Sequence, residues 1–170
     1  FFYDLTDFVD KLNPDIKSRV KFRAKTNRGF NAGRKFSEIF GKESIDKFSF
    51  KNPFYNTLLN SKLIIATYPQ TAFCEAMFSN VPTILVINKK HYQFTKEAQH
   101  IFDILKANQI AFEDFNSARE HVNKYWYKID EWWKKEDVQR ARKMFLKSFF
   151  NVKPNWYKEW SNYIRSLKKF

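Results

Sequence analysis

The chain is poor in the residues that build tight loops and covalent staples. Its 170 residues include 3 glycines, 1 cysteine, 2 methionines and 5 prolines. Two of the glycines, Gly29 and Gly33, share one segment, and neither a Walker-type phosphate loop nor a Gly-x-Ser-x-Gly elbow can be found. The lone cysteine, Cys74, excludes an internal disulfide. It lies between Phe73 and Glu75-Ala76-Met77 on an apolar helix face and reads as a packing thiol rather than a nucleophile. His91, His100 and His121 have no ligand spacing and no cysteine or carboxylate cluster beside them, so no metal site is expected. No apolar run approaches the ~20 residues of a membrane span, and nothing resembles a signal peptide. The expectation is a cytoplasmic chain, with peripheral contact to an inner membrane surface left open.

Positive charge is abundant. The net charge is +13 and the pI about 9.7. Residues 11–51 hold 12 Lys and Arg against 4 Asp and Glu, a balance that favours anionic partners: nucleic acid, an anionic membrane, or phosphorylated small molecules. The same Lys, Asn, Phe and Ile richness would also follow from a coding bias toward A and T. The length suits one domain with a sizeable core. No repeat and no flexible linker is visible.

Hydrophobic spacing predicts a helix over 1–12, ended by Asn13-Pro14-Asp15. Alternation over 19–23 reads as a strand, 25–33 as a loop, and 36–50 as a short helix followed by irregular chain. Pro53 suits the first position of a helix ending near Asn60. The strand read at 62–67 holds the continuous apolar run Leu63-Ile64-Ile65-Ala66, which implies burial on both faces, and 83–87 reads as a second buried strand. A helix over 71–79 joins them, and another spans 95–108. Residues 109–112 form a short strand, and Asn116 or Ser117 caps the next helix, with Glu120 in capping-box position behind Ser117. From there the chain is nearly all helix and carries all five tryptophans, Trp126, Trp132, Trp133, Trp156 and Trp160. Their spacing fits core packing better than a sugar-stacking platform. Pro154 opens a last helix. Alternating strands and helices followed by helices alone imply an α/β parallel sheet with a helical C-terminal layer.

Residues 58–87, LLNSKLIIATYPQTAFCEAMFSNVPTILVI, carry the most information. A buried strand ends in the polar corner Tyr68-Pro69-Gln70-Thr71 and a short helix follows. Ligands of open parallel sheets bind outside the carboxyl ends of the strands. Thr71 is placed to cap that helix, whose free N–H groups and positive dipole end suit an anion. Glu75, at i+4 on the same side, could accept hydroxyl hydrogen bonds from a ribose. On the spacing alone, a plain capped helix with Glu75 complementing its dipole is the favoured reading.

This stretch resembles the donor-domain signature of GT-B glycosyltransferases: a strand ending in a polar Ser/Thr turn, a helix with Glu-Ala, and a small residue plus Pro before the next strand. The whole chain is similar to transferases of bacterial surface-carbohydrate (lipopolysaccharide-type) biosynthesis. Val20-Lys21-Phe22-Arg23, Glu97-Ala98 with Phe102-Asp103-Ile104-Leu105, Ile129-Asp130-Glu131-Trp132-Trp133, and residues 156–160 carry that likeness.

The resemblance implies a Rossmann-like donor-binding domain over 1–115, with residues 116–170 as helices packed on it. It implies the C-terminal half of an enzyme that moves a sugar from a nucleotide-activated donor to a surface glycan. Thr71 would hold a donor phosphate and Glu75 the ribose or sugar hydroxyls. Gln70 would line the corner, and Arg23, helped by Lys25 or Arg28, would supply charge to the phosphates. His91, on the loop after the second strand, would contact donor or acceptor, although an ordinary surface histidine is the favoured reading of that position. No metal and no cofactor beyond the nucleotide-sugar substrate is implied. An N-terminal domain, with the first strand, a glycine-rich loop and the catalytic base, would precede Phe1, so the chain alone is not expected to turn over. The last helix would cross to that domain and leave some aromatics exposed here.

Three rivals remain at this stage. A polyol-phosphate transferase of the teichoic-acid type has a similar donor corner. A non-enzymatic nucleic-acid-binding domain could use Lys21-Phe22-Arg23 to grip phosphates and stack bases, against the lack of any RNA-recognition signature. An interaction module could rest on the Trp-rich C-terminal half.

Overall fold

A computed structural model describes residues 2–24, 31–46, 53–88, 92–150 and 154–167. Its centre is a three-stranded parallel sheet, β1 (Ile64–Ala66), β2 (Thr83–Val86) and β3 (Ala111–Phe112), in the order β1-β2-β3. Ile65 pairs with Ile84, and Leu85 with Ala111. Thr83, Ile84, Leu85 and Val86 are all buried, which is the reason the run at 83–87 shows no polar alternation.

Because the order runs one way across the sheet, right-handed crossovers put α5 (Thr71–Phe78) and α6 (Lys96–Ala107) on one face. α9 (Glu136–Phe149) packs over both of them. α7 (Phe115–Tyr125) covers β2 and β3 and is backed by α1 (Phe2–Asp10). The short α2 (Pro14–Lys17), α3 (Ala32–Phe40) and α4 (Phe54–Asn60) precede β1, and α8 (Ile129–Trp133) and α10 (Trp156–Leu167) complete the helices.

With so few glycines, helices must end on other residues. α5 and α6 both close in a Schellman arrangement on a left-handed residue, Asn80 (φ 58°) and Gln109 (φ 59°). In α5 the N–H of Val81 donates to the Ala76 carbonyl and that of Asn80 to Met77. In α6 the N–H of Ile110 donates to Leu105 and that of Gln109 to Lys106. The Asn80 turn is held from outside, since Trp133 Nε1 donates to both the carbonyl and the Oδ1 of Asn80, at 3.1 and 3.0 Å. Arg142 of α9 donates from Nε to the Met77 carbonyl at 2.6 Å and from its terminal nitrogen to Phe78 at 3.0 Å. A guanidinium on the last carbonyls of a helix complements the negative end of its dipole. The C-terminal layer thus grips α5 by its far end and leaves the near end at the sheet edge.

Several expectations are corrected. Residues 19–23 form no strand; among the described residues Phe22 makes an isolated parallel bridge with Ile45. α3 begins at Ala32, so Gly33 is helical and the 25–33 loop is shorter at that end; residues 25–30 lie outside the described ones. Pro53 is the N-cap of α4 rather than its first residue, and α10 starts two residues after Pro154. α7 is capped by Asp114, whose Oδ1 accepts from the Ser117 N–H at 2.8 Å, rather than by Asn116 or Ser117. The tryptophans divide: Trp132 and Trp133 are core and Trp126 is half-buried, but Trp156 and Trp160 are exposed.

Candidate active site

β1 stops at Ala66, and Thr67-Tyr68-Pro69-Gln70 turns the chain into α5. The extended residue at the boundary is Gln70 (φ −114°, ψ −166°), so Gln70 and not Thr71 is the N-cap, and no side chain caps the helix. Thr71 is the first helical residue, and the Cα–Cβ bond of a helical residue tilts toward the N-terminus. Its exposed hydroxyl therefore stands with the first-turn N–H groups instead of consuming one. The other two helices that leave this sheet are capped. Thr95 accepts from the Ala98 N–H in α6 at 3.3 Å, and Asp114 caps α7. Among the described residues, α5 alone of the three has an N-cap residue whose side chain makes no capping hydrogen bond.

Gln70 and Thr71 are exposed, and Glu75 is half-buried one turn on. Phe73, Ala76 and Met77 turn into the core, which fixes the helix so that Thr71 and Glu75 share the outward side. Cys74 is half-buried, and burial pushes its thiol pKa up, which suits packing and not nucleophilic attack.

Arg23 lies in a different setting from the one anticipated. Its guanidinium donates to Asp46 Oδ2 at 2.8 Å and to Thr57 Oγ1 at 2.9 Å, and stands 5.7 Å from the centre of the Phe54 ring. Thr57 also donates to Asp46 Oδ2. Both side chains of the ion pair are only 15 % exposed, so this is neither a solvated charge nor an uncommitted one. Exposed pairs contribute about 0–1 kcal/mol and breaking a buried pair costs about 3–5. This pair falls between, and Asp46→Ala is expected to lower unfolding stability by about 2 kcal/mol in urea titration. The Arg23→Ala, Asp46→Ala double variant should recover part of that loss. An unchanged urea midpoint in Asp46→Ala would mean that Arg23 does not depend on this carboxylate. Lys25, Arg28 and His91 lie outside the described residues.

A family model for LIC12162 family transferases matches residues 1–164. The chain belongs to the LIC12162 family of transferases. No curated protein and no solved structure matches it.

For a transferase, this corner offers binding chemistry: an uncapped helix N-terminus for an anion, a hydroxyl, and a carboxylate that can accept hydroxyl hydrogen bonds. Sequence reasoning missed its aromatic wall. Tyr68 follows β1 and Tyr92 follows β2, and their rings meet edge to face at 5.9 Å. Tyr92 stacks on Phe94, and Phe94 on Phe102 of α6. Burial raises the Tyr92 hydroxyl pKa, and the Tyr68 hydroxyl beside it adds to the shift. The available signal was a tyrosine shortly after each of two buried strands.

An open groove of about 500 Å³ lies elsewhere, between α1–α2 and α3. Its charges are engaged: Lys17 pairs with Asp10, and Lys21 donates to the Glu43 carbonyl. Among the described residues, no group of three or more His, Cys, Asp or Glu could hold a metal ion, and no helix is long and apolar enough to cross a membrane.

Proposed function

We propose that this LIC12162 family chain is the donor-binding half of a GT-B-type glycosyltransferase, taking a sugar from a nucleotide-activated donor toward a surface glycan or lipopolysaccharide. The observation that carries this reading is the α5 N-terminus, free of a side-chain cap at the carboxyl end of β1, with Thr71 and Glu75 on its outward side. In this reading the first-turn amides of α5 and the Thr71 hydroxyl bind a donor phosphate. The helix dipole then stabilises the charge that grows on the departing nucleotide. Glu75 accepts hydroxyls of the ribose or sugar and Gln70 lines the entrance; Lys25 and His91 are kept as donor contacts on the resemblance alone. Arg23 brings its charge only jointly with Asp46, so its contribution is to shape the neighbourhood more than to neutralise phosphate. The catalytic base and the acceptor site belong to the N-terminal domain that the resemblance implies.

The test is a nucleotide panel (CMP, CDP, UDP and GDP, their sugars, and a CDP-linked polyol) titrated into the chain by calorimetry. One nucleotide class should bind selectively. Losing a hydrogen bond to a charged group weakens affinity roughly tenfold or more, so Glu75→Ala should cost about tenfold. Thr71→Ala should cost somewhat less, because the backbone donors remain. A preference for the CDP-polyol would redirect the reading to polyol-phosphate transfer. Affinity left unchanged in both variants would remove the corner from it.

A further inference from the structure

Among the described residues, the helix α10 presents most of its surface to solvent. Eleven of its 12 residues are exposed and Ser161 is half-buried. Among the exposed are Trp156 (59 %), Trp160 (60 %), Tyr163 (57 %) and Leu167 (54 %). With Tyr157 and Ile164 these side chains fall on a single arc about 120° wide at helical spacing. Lys158, Asn162 and Arg165 lie on the opposite side of the helical wheel. The rings contact one another, Trp156 with Tyr157 and Trp160 with Tyr163. A 12-residue helix that buries none of its residues is marginal in water, so this face suits an occupant.

Charge selects among the occupants. Residues 143–170 carry seven Lys and Arg and a single acid, Glu159. A second copy would set that stretch, on a chain of net charge +13, against its like. An anionic surface would attract it. The composition points the same way: Trp and Tyr bring an apolar ring with one polar tip, the pattern that sits at the level of lipid headgroups. Lys158 and Arg165 occupy the polar side opposite that stripe, the arrangement of an interfacial amphipathic helix, and long basic side chains can snorkel toward anionic headgroups. The chain leading into α10 adds exposed apolar area at Met144 and Phe149. We propose that α10 is an interfacial anchor, lying in the plane of an anionic membrane with its Trp/Tyr arc in the headgroup region. This is independent of the donor site and would bring whatever the transferase handles to a lipid-borne acceptor.

The test is co-sedimentation of the whole chain with vesicles of phosphatidylcholine alone and of phosphatidylcholine with about one-third phosphatidylglycerol. Partition into the anionic vesicles should be stronger by about tenfold or more, fall with added salt, and shift tryptophan emission to the blue. The double variant Trp156→Ser, Trp160→Ser should lose about tenfold or more of that partition. Its circular dichroism should keep the wild-type melting point, since those rings support nothing else. Tyr3→Ser, on the exposed face of α1, should partition like the wild type. Equal partition into both vesicle types, or an unaffected double variant, overturns the proposal. So does absence of partition, which would leave the face to the N-terminal domain, and so does a self-association that the double variant abolishes.

Discussion

Trp132→Ala should be the most damaging single substitution in the chain, costing about 3–5 kcal/mol of stability. Trp132 is 1 % exposed. Its ring meets His121 edge-on at 4.6 Å and Trp133 at 5.4 Å. It stands where α8 turns the helical layer back against α7. Truncation removes the largest buried side chain of that junction and leaves a cavity that helices fixed at both ends cannot close. The effect should reach beyond α8. Trp133 is its neighbour and ties the layer to Asn80 at the end of α5, so a loosened α8 also loosens the helix that carries the candidate site. Urea unfolding should show a lower midpoint with little change in slope. Trp156→Ala should move the midpoint by less than about 0.5 kcal/mol, the range of surface changes. Equal effects of the two substitutions would contradict the division of the tryptophans into core and exposed face.

The second large effect is a loss of stability on mild acidification, set by His121. This imidazole is 5 % exposed, ringed by Phe112, Tyr125 and Trp132. Neither ring nitrogen has a hydrogen-bond partner among the described residues. Burial drives its pKa from 6.5 down to about 4, and the positive charges of Lys124 and Lys135 push the same way. The unfolded chain therefore takes up a proton near pH 6.5 that the folded chain refuses until about pH 4. Stability from this group is complete above pH 6.5 and is lost as the pH falls toward 4, by up to about 3 kcal/mol. Thermal melts of the wild type should fall across that window, while His121→Phe, which cannot charge, should follow a flatter profile. Parallel profiles for the two proteins would mean that His121 is not buried as a neutral ring.

The segment from β1 to β2 was legible because each signal there is local. A continuous apolar run marks a strand covered on both faces, which holds for β2, while β1 is half-buried at Ile64 and Ile65, and the helix between needs one buried side at 3.6-residue spacing. The strand expected at 19–23 failed because alternation describes one strand, whereas a ladder needs a neighbour, and among the described residues Phe22 has a single bridge, to Ile45. Periodicity also could not tell a core face from a face without a partner. Trp132 and Trp160 both sit on amphipathic helices, and only the fold separates them.

At the candidate site, Thr71 and Glu75 were readable from i+4 spacing, but the capping residue was off by one position. A cap is decided by backbone angles that Gln70 and Thr71 could each adopt. Arg23 shows the other limit. Its partners Asp46 and Thr57 lie 23 and 34 residues away, and no spacing rule reaches across a turn of the fold. The Tyr68–Tyr92 contact was hidden for the same reason.

The central claim is that a nucleotide phosphate sits on the first turn of α5. The most direct measurement is amide chemical-shift mapping of the chain during titration with the nucleotide that the panel selects. The largest shifts should fall at Thr71, Ala72 and Phe73, with Glu75 next and the basic segment 11–51 little changed apart from Lys25 and its neighbours. Shifts concentrated in 11–51 and absent from α5 would contradict it, and would point to a charge-driven contact with the basic segment in place of a donor site.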